Sequence, residues 1–389
     1  MEQKIKNELG IYVHIPFCKK KCDYCDFISF DKIRCKDGSR NLKNEIEVYV
    51  KKVISEIKKF DFSTYTVTTI YIGGGTPSYI DEKYIEEIMR VLKDKITNES
   101  KASDLKKIES TIEINPGTVN NKKLKKYYEI GINRVSIGLQ TVNDNLLKQI
   151  GRIHTYREFE EVYNMAVDTG FKNINFDLII GLPNQTIEDI SKTVDIVKKL
   201  NPNHVSVYSL IVEKETKLYQ NIVSGKLKEL DEEVERYMYW YLKNKLEILG
   251  YNHYEISNFA KKGKESKHNI NCWKQKEYIG FGLGAHSYID KVRFCNSLNN
   301  ENDISYIKEI QEVQNVLDMQ KEYMLLGLRM LKGVSISNFK EKFINNPIYV
   351  FKDELDYLVN KKLITIDGDY IKLSHKGLDF ANLVWEEFI

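Results

Sequence analysis

Six apolar runs recur between residues 11 and 212: IYVHIPF (11–17), TTIYIGG (68–74), STIEINP (110–116), RVSIGLQ (134–140), INFDLIIGLP (174–183) and HVSVYSLIV (204–212). They are rich in β-branched side chains and nearly continuous, the pattern of strands buried on both faces of a parallel sheet. The stretches between them, about 41–59, 81–96, 121–129, 143–169 and 186–200, have helical periodicity among many Lys and Glu. Strand then helix, repeated, predicts an α/β protein of βα units around a parallel sheet. The pattern alone does not choose between a partly closed barrel and an open sheet.

Four of the six prolines (Pro16, Pro77, Pro116 and Pro183) fall at or just beyond a predicted strand's C-terminal end. So do the first cysteines, Gly73–Gly75, Glu113, Gln140 and Asp177. In parallel α/β folds that edge is where ligands bind. Beyond residue 230 the pattern changes. A long helix is predicted over 231–249, followed by segments rich in aromatics and glycine at 251–260 and 278–289. The last part, 318–389, reads as helices leading to two short strands about a Gly-Asp turn at 362–374 and a closing helix, which resembles a winged-helix module. The predicted units are therefore a βα-barrel domain over 1–230, a barrel extension over 231–315 and a small C-terminal α+β winged-helix-like domain over 316–389.

Composition narrows the function classes. Lys+Arg total 59 against Asp+Glu 56, a near balance that argues against a dedicated nucleic-acid binder. The N-terminus is charged, and no stretch of about 18 apolar residues occurs, so neither a signal peptide nor an integral membrane segment is expected. The expected location is the cytoplasm, where thiols stay reduced. Six cysteines there, half of them clustered, read as metal ligands before disulfides.

The cluster is Cys18, Cys22 and Cys25, spaced C-x3-C-x2-C directly after the first predicted strand. A structural zinc site normally takes four protein ligands. The nearby fourth candidate, His14, lies on the strand before the loop; the remote ones are Cys35, Cys272 and Cys295. A [4Fe–4S] cluster on three cysteines leaves one iron open for another ligand, and one short loop can present three sulfurs to one cubane face. Lys19, Lys20 and Lys21 suit an anionic cluster or a reductase partner, and equally a solvated loop.

A strand, then C-x3-C-x2-C with an aromatic residue (Tyr24) before the last cysteine, resembles the radical S-adenosylmethionine (SAM) superfamily. In that family the open iron is chelated by the amino and carboxylate groups of SAM. An electron from the cluster then cleaves SAM to a 5′-deoxyadenosyl radical. Within it the chain is similar to the oxygen-independent coproporphyrinogen III oxidase-like group, and more closely to its heme chaperone branch. The resemblance rests on YVHIPFC (12–18), IGGGTPS (72–78), IEINPGT (112–118), RVSIGLQ (134–140), GRIH (151–154), FDLIIGLP (176–183), HNINCW (268–273) and GFGLGAHS (280–287). It implies a partial (β/α)6 radical-SAM barrel. It also implies Cys18, Cys22 and Cys25 as [4Fe–4S] ligands, with Tyr12, Gly74, Gly75, Thr76, Glu113, Gln140, Arg152 and Asp177 around SAM. Chemically, a glycine turn admits close backbone approach and offers N–H groups to a carboxylate. Glu113 can accept from an ammonium, Arg152 can pair with a carboxylate, and Asp177 can accept from ribose hydroxyls.

Three features separate the dehydrogenases of this group from the chaperones. The dehydrogenases carry a further cysteine two positions after the third, where this chain has Phe27. They also have an extension before the first strand, whereas Tyr12 stands near the start here. The chaperone branch has an H-N-x-x-Y-W motif implicated in heme binding; this chain has His268 and Trp273 with Cys272 in place of the tyrosine. The expected heme residues are thus His268, Cys272 and Trp273, imidazole and thiolate both being good axial ligands, with His286 a second candidate. The resemblance implies a heme chaperone carrying a [4Fe–4S] cluster and SAM. Its partners would be heme, acceptor hemoproteins, an electron donor for the cluster and a second copy of the chain. The alternative is an oxygen-independent coproporphyrinogen III dehydrogenase.

Overall fold

The structure is a computed structural model; it describes residues 7–31, 42–100, 103–299 and 304–389, so Cys35 lies outside the described residues. The six apolar runs form β1 (Asn7–Ile15), β2 (Tyr65–Gly74), β3 (Glu109–Ile114), β4 (Arg134–Gln140), β5 (Ile174–Ile180) and β6 (His204–Ser209). These strands are mutually parallel and lie side by side in chain order. Each βα crossover returns the chain to the same edge, so every strand's C-terminal end opens on one side.

The helices follow from their periodicity. The helix Leu42–Lys59 buries Ile46, Tyr49, Val50, Val53 and Ile57, a stripe at three- and four-residue spacing. Fully burying each aliphatic side chain there contributes roughly 1.5–3 kcal/mol. Thr155 and Thr186 begin their helices (Tyr156–Thr169 and Ile187–Leu200) with reciprocal capping boxes to Glu158 and Asp189. The predicted helix over 143–169 is two helices, Asp144–Gln149 and Tyr156–Thr169. Gly151 separates them with φ +79°, and a Cβ there would stand 2.5 Å from Asp23 Oδ1. The turn docks on the cysteine loop, a contact no helical pattern records.

Residues beyond 230 extend the sheet on both edges. β7 (Asn252–Glu255) and β8 (Asn258–Ala260) add antiparallel beside β6. β9 (Glu277–Phe281) pairs parallel with β1, and β10 (His286–Ile289), β11 (Val292–Leu298) and β12 (Tyr306–Val313) continue outward. β6 does not meet β1, so the barrel stays open within a twelve-stranded sheet. The chain passes from one edge to the other through the helix Lys267–Trp273. That helix lies against the first half of β2 and the start of β3: Asn271 bonds Thr68 Oγ1 at 3.0 Å, and Lys267 N–H donates to Glu109 Oε1 at 2.9 Å. A carboxylate at a helix N-terminus is favourable because the first N–H groups lack partners there.

On β4, Val135, Ile137 and Leu139 join the apolar core, while Arg134, Ser136 and Gln140 share the opposite face. That face continues as a hydrogen-bonded lattice of Ser136, Asn175, Asp177, His204 and Ser206. Both faces are covered, which is why β4 reads as continuous burial. A second core, from Met324 to Phe388, surrounds a small sheet in which β15 (Tyr370–Leu373) lies between β13 (Val334–Ser335) and β14 (Ile364–Asp367). It is tied to the large sheet by Arg329, whose guanidinium lies 4.3 Å from the Trp273 ring and 5.0 Å from the Trp385 ring, beside the buried Glu255.

Candidate functional site

The cysteine loop leaves the end of β1 and returns as a closed lobe. Cys18 N–H donates to Phe30 O at 2.9 Å, and Phe30 N–H to Pro16 O at 2.7 Å. Asp23 N–H reaches across to Ile150 O at 3.0 Å. Cys18, Cys22 and Cys25 are free thiols. Burial pushes the Cys18 thiol up, and the Cys25 thiol to about 11. His14 is not poised as a fourth ligand: Nδ1 bonds the Tyr12 hydroxyl at 3.0 Å and Nε2 the Ile28 carbonyl at 2.9 Å. Burial lowers its pKa to about 4, so it stays neutral and braces the loop. Cys272 belongs to the helix against the first half of β2, and Cys295 lies in β11 with its sulfur 3.0 Å from Ser297 Oγ.

The glycine turn after β2 lies against this loop. Gly74 has φ +112°, and a Cβ there would fall 2.6 Å from the His14 ring, so a side chain is excluded twice over. The N–H groups of the turn differ from the expectation. Gly74 N–H donates to Glu113 Oε2 at 3.2 Å, Gly75 N–H to Ile15 O and Thr76 N–H to Phe17 O, both at 2.9 Å. They fasten the turn to β1 and the loop instead of being offered to a ligand. Thr76 Oγ1 donates toward Cys18 Sγ at 3.5 Å and accepts from Asn115 Nδ2 at 3.0 Å.

The other strand ends converge on the same opening. Glu113, on β3, accepts from the Tyr71 hydroxyl at 2.9 Å; burial, then the nearby Asp177 charge, push its carboxyl up to about 7. Asp177, on β5, accepts from Ser136 and Asn175, and burial raises its pKa. Gln140 ends β4 with φ +64° at a break in the β4–β5 register. A left-handed non-glycine residue costs of order 1–3 kcal/mol and concentrates at functional positions. Tyr12 stacks on Tyr71 at 6.2 Å.

Arg152 lies beside the thiols. Nη1 stands 3.5 Å from Cys22 Sγ, Nη2 bonds Asn115 Oδ1 and the Gly138 carbonyl, and Nε is buried without a partner. The neighbouring Cys22 and Tyr24 groups hold the guanidinium firmly charged despite its burial. Lys19, Lys20, Asn115, Thr118 and Ile153 line the small cleft at this point. Asn115 was missed by sequence reasoning; its signal was its place in IEINPGT, two residues beyond Glu113. Three uncrosslinked thiols, a guanidinium with a spare donor and two carboxylates at one edge fit an anionic cluster capped by a zwitterionic cationic ligand.

The HNINCW segment divides. His268 is buried against the sheet: Nδ1 lies 2.9 Å from Thr69 Oγ1, and the ring centroid is 5.2 Å from that of Tyr71. Burial lowers its pKa to about 4. The Cys272 thiol is pushed up to about 11 by burial. Trp273 faces the C-terminal domain through Arg329. His286 is exposed on β10, its Nδ1 3.1 Å from Gln311 Oε1.

Residues 12–197 match the Radical SAM superfamily, and residues 317–380 match the HemN C-terminal domain. Over 97% of its length the chain is 37% identical to the heme chaperone HemW of Bacillus subtilis, of which 98% is covered. It is 34% identical to the heme chaperone HemW of Lactococcus lactis over 97% of this chain and 96% of that one. The structure superposes on coproporphyrinogen III oxidase (HemN) from Escherichia coli with a TM-score of 0.81 and 21% identity, covering 98% and 90% of the two chains. At that identity the likeness speaks for the fold.

Proposed function

We infer the function of this chain from its family: it belongs to the radical SAM superfamily and, within it, to the family of heme chaperones. It binds heme and passes it to acceptor hemoproteins, on a radical-SAM scaffold. The observation that carries this reading is the near-full-length similarity to chains named as heme chaperones. The exposed Phe27 of the cysteine loop, where the dehydrogenases place a cysteine, supports it.

At the barrel mouth Cys18, Cys22 and Cys25 would hold the [4Fe–4S] cluster, and Tyr12, Gly74, Gly75, Thr76, Glu113, Gln140, Arg152 and Asp177 would surround SAM. When bound, the cluster supplies an electron to the sulfonium of SAM. The residues prepare that place. Arg152, fixed by Asn115 and Gly138, holds a donor toward the Cys22 sulfur. The thiols release their protons as metal binds. Glu113, braced by Tyr71 and Gly74, would accept from the ammonium of SAM, and Asp177 from its ribose hydroxyls. Gly74 lets the turn approach closely.

His268, Cys272 and Trp273 are the proposed heme residues. Trp273 meets the C-terminal domain as the helix stands; His268 bonds Thr69 and packs on Tyr71, so it would meet iron only if the helix turned. Lys19 and Lys20, exposed beside the Cys22 cleft, give an acidic electron donor its approach. A second copy of the chain is the remaining partner, and the cytoplasm the location. Among the described residues no helix is long and apolar enough to cross a membrane.

The test is heme titration of cluster-loaded protein beside a coproporphyrinogen III turnover assay. Saturable heme binding with no protoporphyrinogen formed is expected. Turnover without heme binding would replace the chaperone by the dehydrogenase.

A further inference from the structure

We propose that the cargo heme sits in the groove between the end of the helix Lys267–Trp273 and the C-terminal domain, its two propionates gripped by Lys274, Lys332 and Lys342. The assignment rests on the heme reading above and adds the place and the anchoring groups.

The groove has a volume of about 660 Å³, inside the ~300–1,000 Å³ range of sites that enclose small organic ligands. Its walls and rim differ in chemistry. Trp273, Tyr323, Met330 and Tyr370 supply broad, polarizable surface, which suits the faces of a flat macrocycle. Four lysines line it, Lys274, Lys276, Lys332 and Lys342, against one acidic residue, Glu341. Lys276 is paired with Glu8. Among the described residues the other three form no ion pair, and Lys342 donates to the neutral Gln275 at 2.8 Å. Lys332 and Lys342 lie 4.8 and 4.9 Å from the ring centroids of Tyr370 and Tyr323. The ammonium groups thus lie at the aromatic walls of the groove.

Charge selects the occupant. The chain as a whole is nearly neutral, yet this recess combines ammonium groups outside ion pairs with aromatic and apolar walls. A flat apolar ring bearing two carboxylates complements both; a nucleic-acid backbone complements the ammonium groups alone.

The experiment titrates the full chain with heme and with heme dimethyl ester, in which both propionates are masked, following the porphyrin absorbance. The variants are Lys274→Glu, Lys332→Glu and Lys342→Glu combined. The wild type is expected to bind heme at least about tenfold more tightly than the ester, and the variant to lose at least about tenfold in heme affinity and most of that preference. Circular dichroism checks the variant's fold; if it fails to fold, the corresponding Lys→Gln triple is read instead. Equal heme affinity in variant and wild type, or a wild type indifferent to esterification, overturns the groove while leaving the chaperone reading intact. A wild type that binds no heme overturns both.

Discussion

The barrel mouth and the helix Lys267–Trp273 each carry a short cysteine-bearing motif, and the fold handles them in opposite ways. At the mouth, residues far apart in sequence are gathered: the loop of Cys18, Cys22 and Cys25 meets Thr76 after β2, Asn115 after β3 and Arg152 beyond β4. In the helix, neighbours in sequence are separated. Each residue advances roughly 100° around a helix, so positions five apart face about 140° from one another. His268 accordingly faces the Thr69–Tyr71 side of β2, and Trp273 faces Arg329 and the groove. A loop can aim all its side chains at one point, whereas a helix distributes them around its axis.

The largest expected effect is at the mouth. Cys22→Ser should abolish the cluster, read as loss of the broad absorption at about 400 nm and of bound iron. Unchanged iron content would remove Cys22 from the ligand set and end the description of the mouth as a convergent site. The helix region is tested next through its anchor. Arg329→Met removes the cation that touches both the Trp273 and Trp385 rings and leaves the buried Glu255 without its countercharge. A loss of about 3–5 kcal/mol is expected in urea unfolding; a loss below about 1 kcal/mol would show that this contact does not hold the two cores together.

A pH measurement sharpens the electrostatics of the mouth. Glu113 goes from 4.5 to about 7 on folding, driven by burial and then by Asp177. A raised acid pKa favours the folded state below the unfolded value, so this contribution is complete below about 4.5 and is lost as pH rises to about 7. The unfolding free energy of cluster-free wild type should therefore fall by up to about 3 kcal/mol across that window relative to Glu113→Gln. Parallel curves for the two proteins would contradict the buried, charge-coupled picture of Glu113. The smallest effect is expected at His268. His268→Ala should lower heme affinity by about threefold and leave bound iron and sulfide unchanged, because the ring packs on Tyr71 rather than lining the groove. A loss of tenfold or more would mean that the helix turns to present His268 to iron, and the contrast between the two regions would narrow.

Much of the frame was readable in the chain. The strand over 134–140 and the helix over 121–129 occur where their patterns place them. The hairpin at 362–374 appears as β14 and β15. These elements are set by local burial pattern, turn residues and caps, all of which leave a mark within a few positions. The break at Gly151 carries local marks, the left-handed Gly151 and the Thr155–Glu158 capping box. The docking of the Gly151 turn on Asp23 was not readable, because Asp23 belongs to a distant loop. Nor was the role of the glycine turn: its N–H groups look free in sequence and are spent on Ile15, Phe17 and Glu113 in space.

By itself the sequence determined the repeat of βα units, the edge at which the strands end and the three-thiol loop at that edge. Each depends on periodicity or on spacing within one short segment. The tertiary structure decided that the sheet stays open between β1 and β6, that Asn115 positions Arg152 beside Cys22, and that His268 and Trp273 part company. Those outcomes depend on which surfaces meet after the chain has folded back on itself. A contact between residues dozens of positions apart or more leaves no period in the sequence from which it can be read.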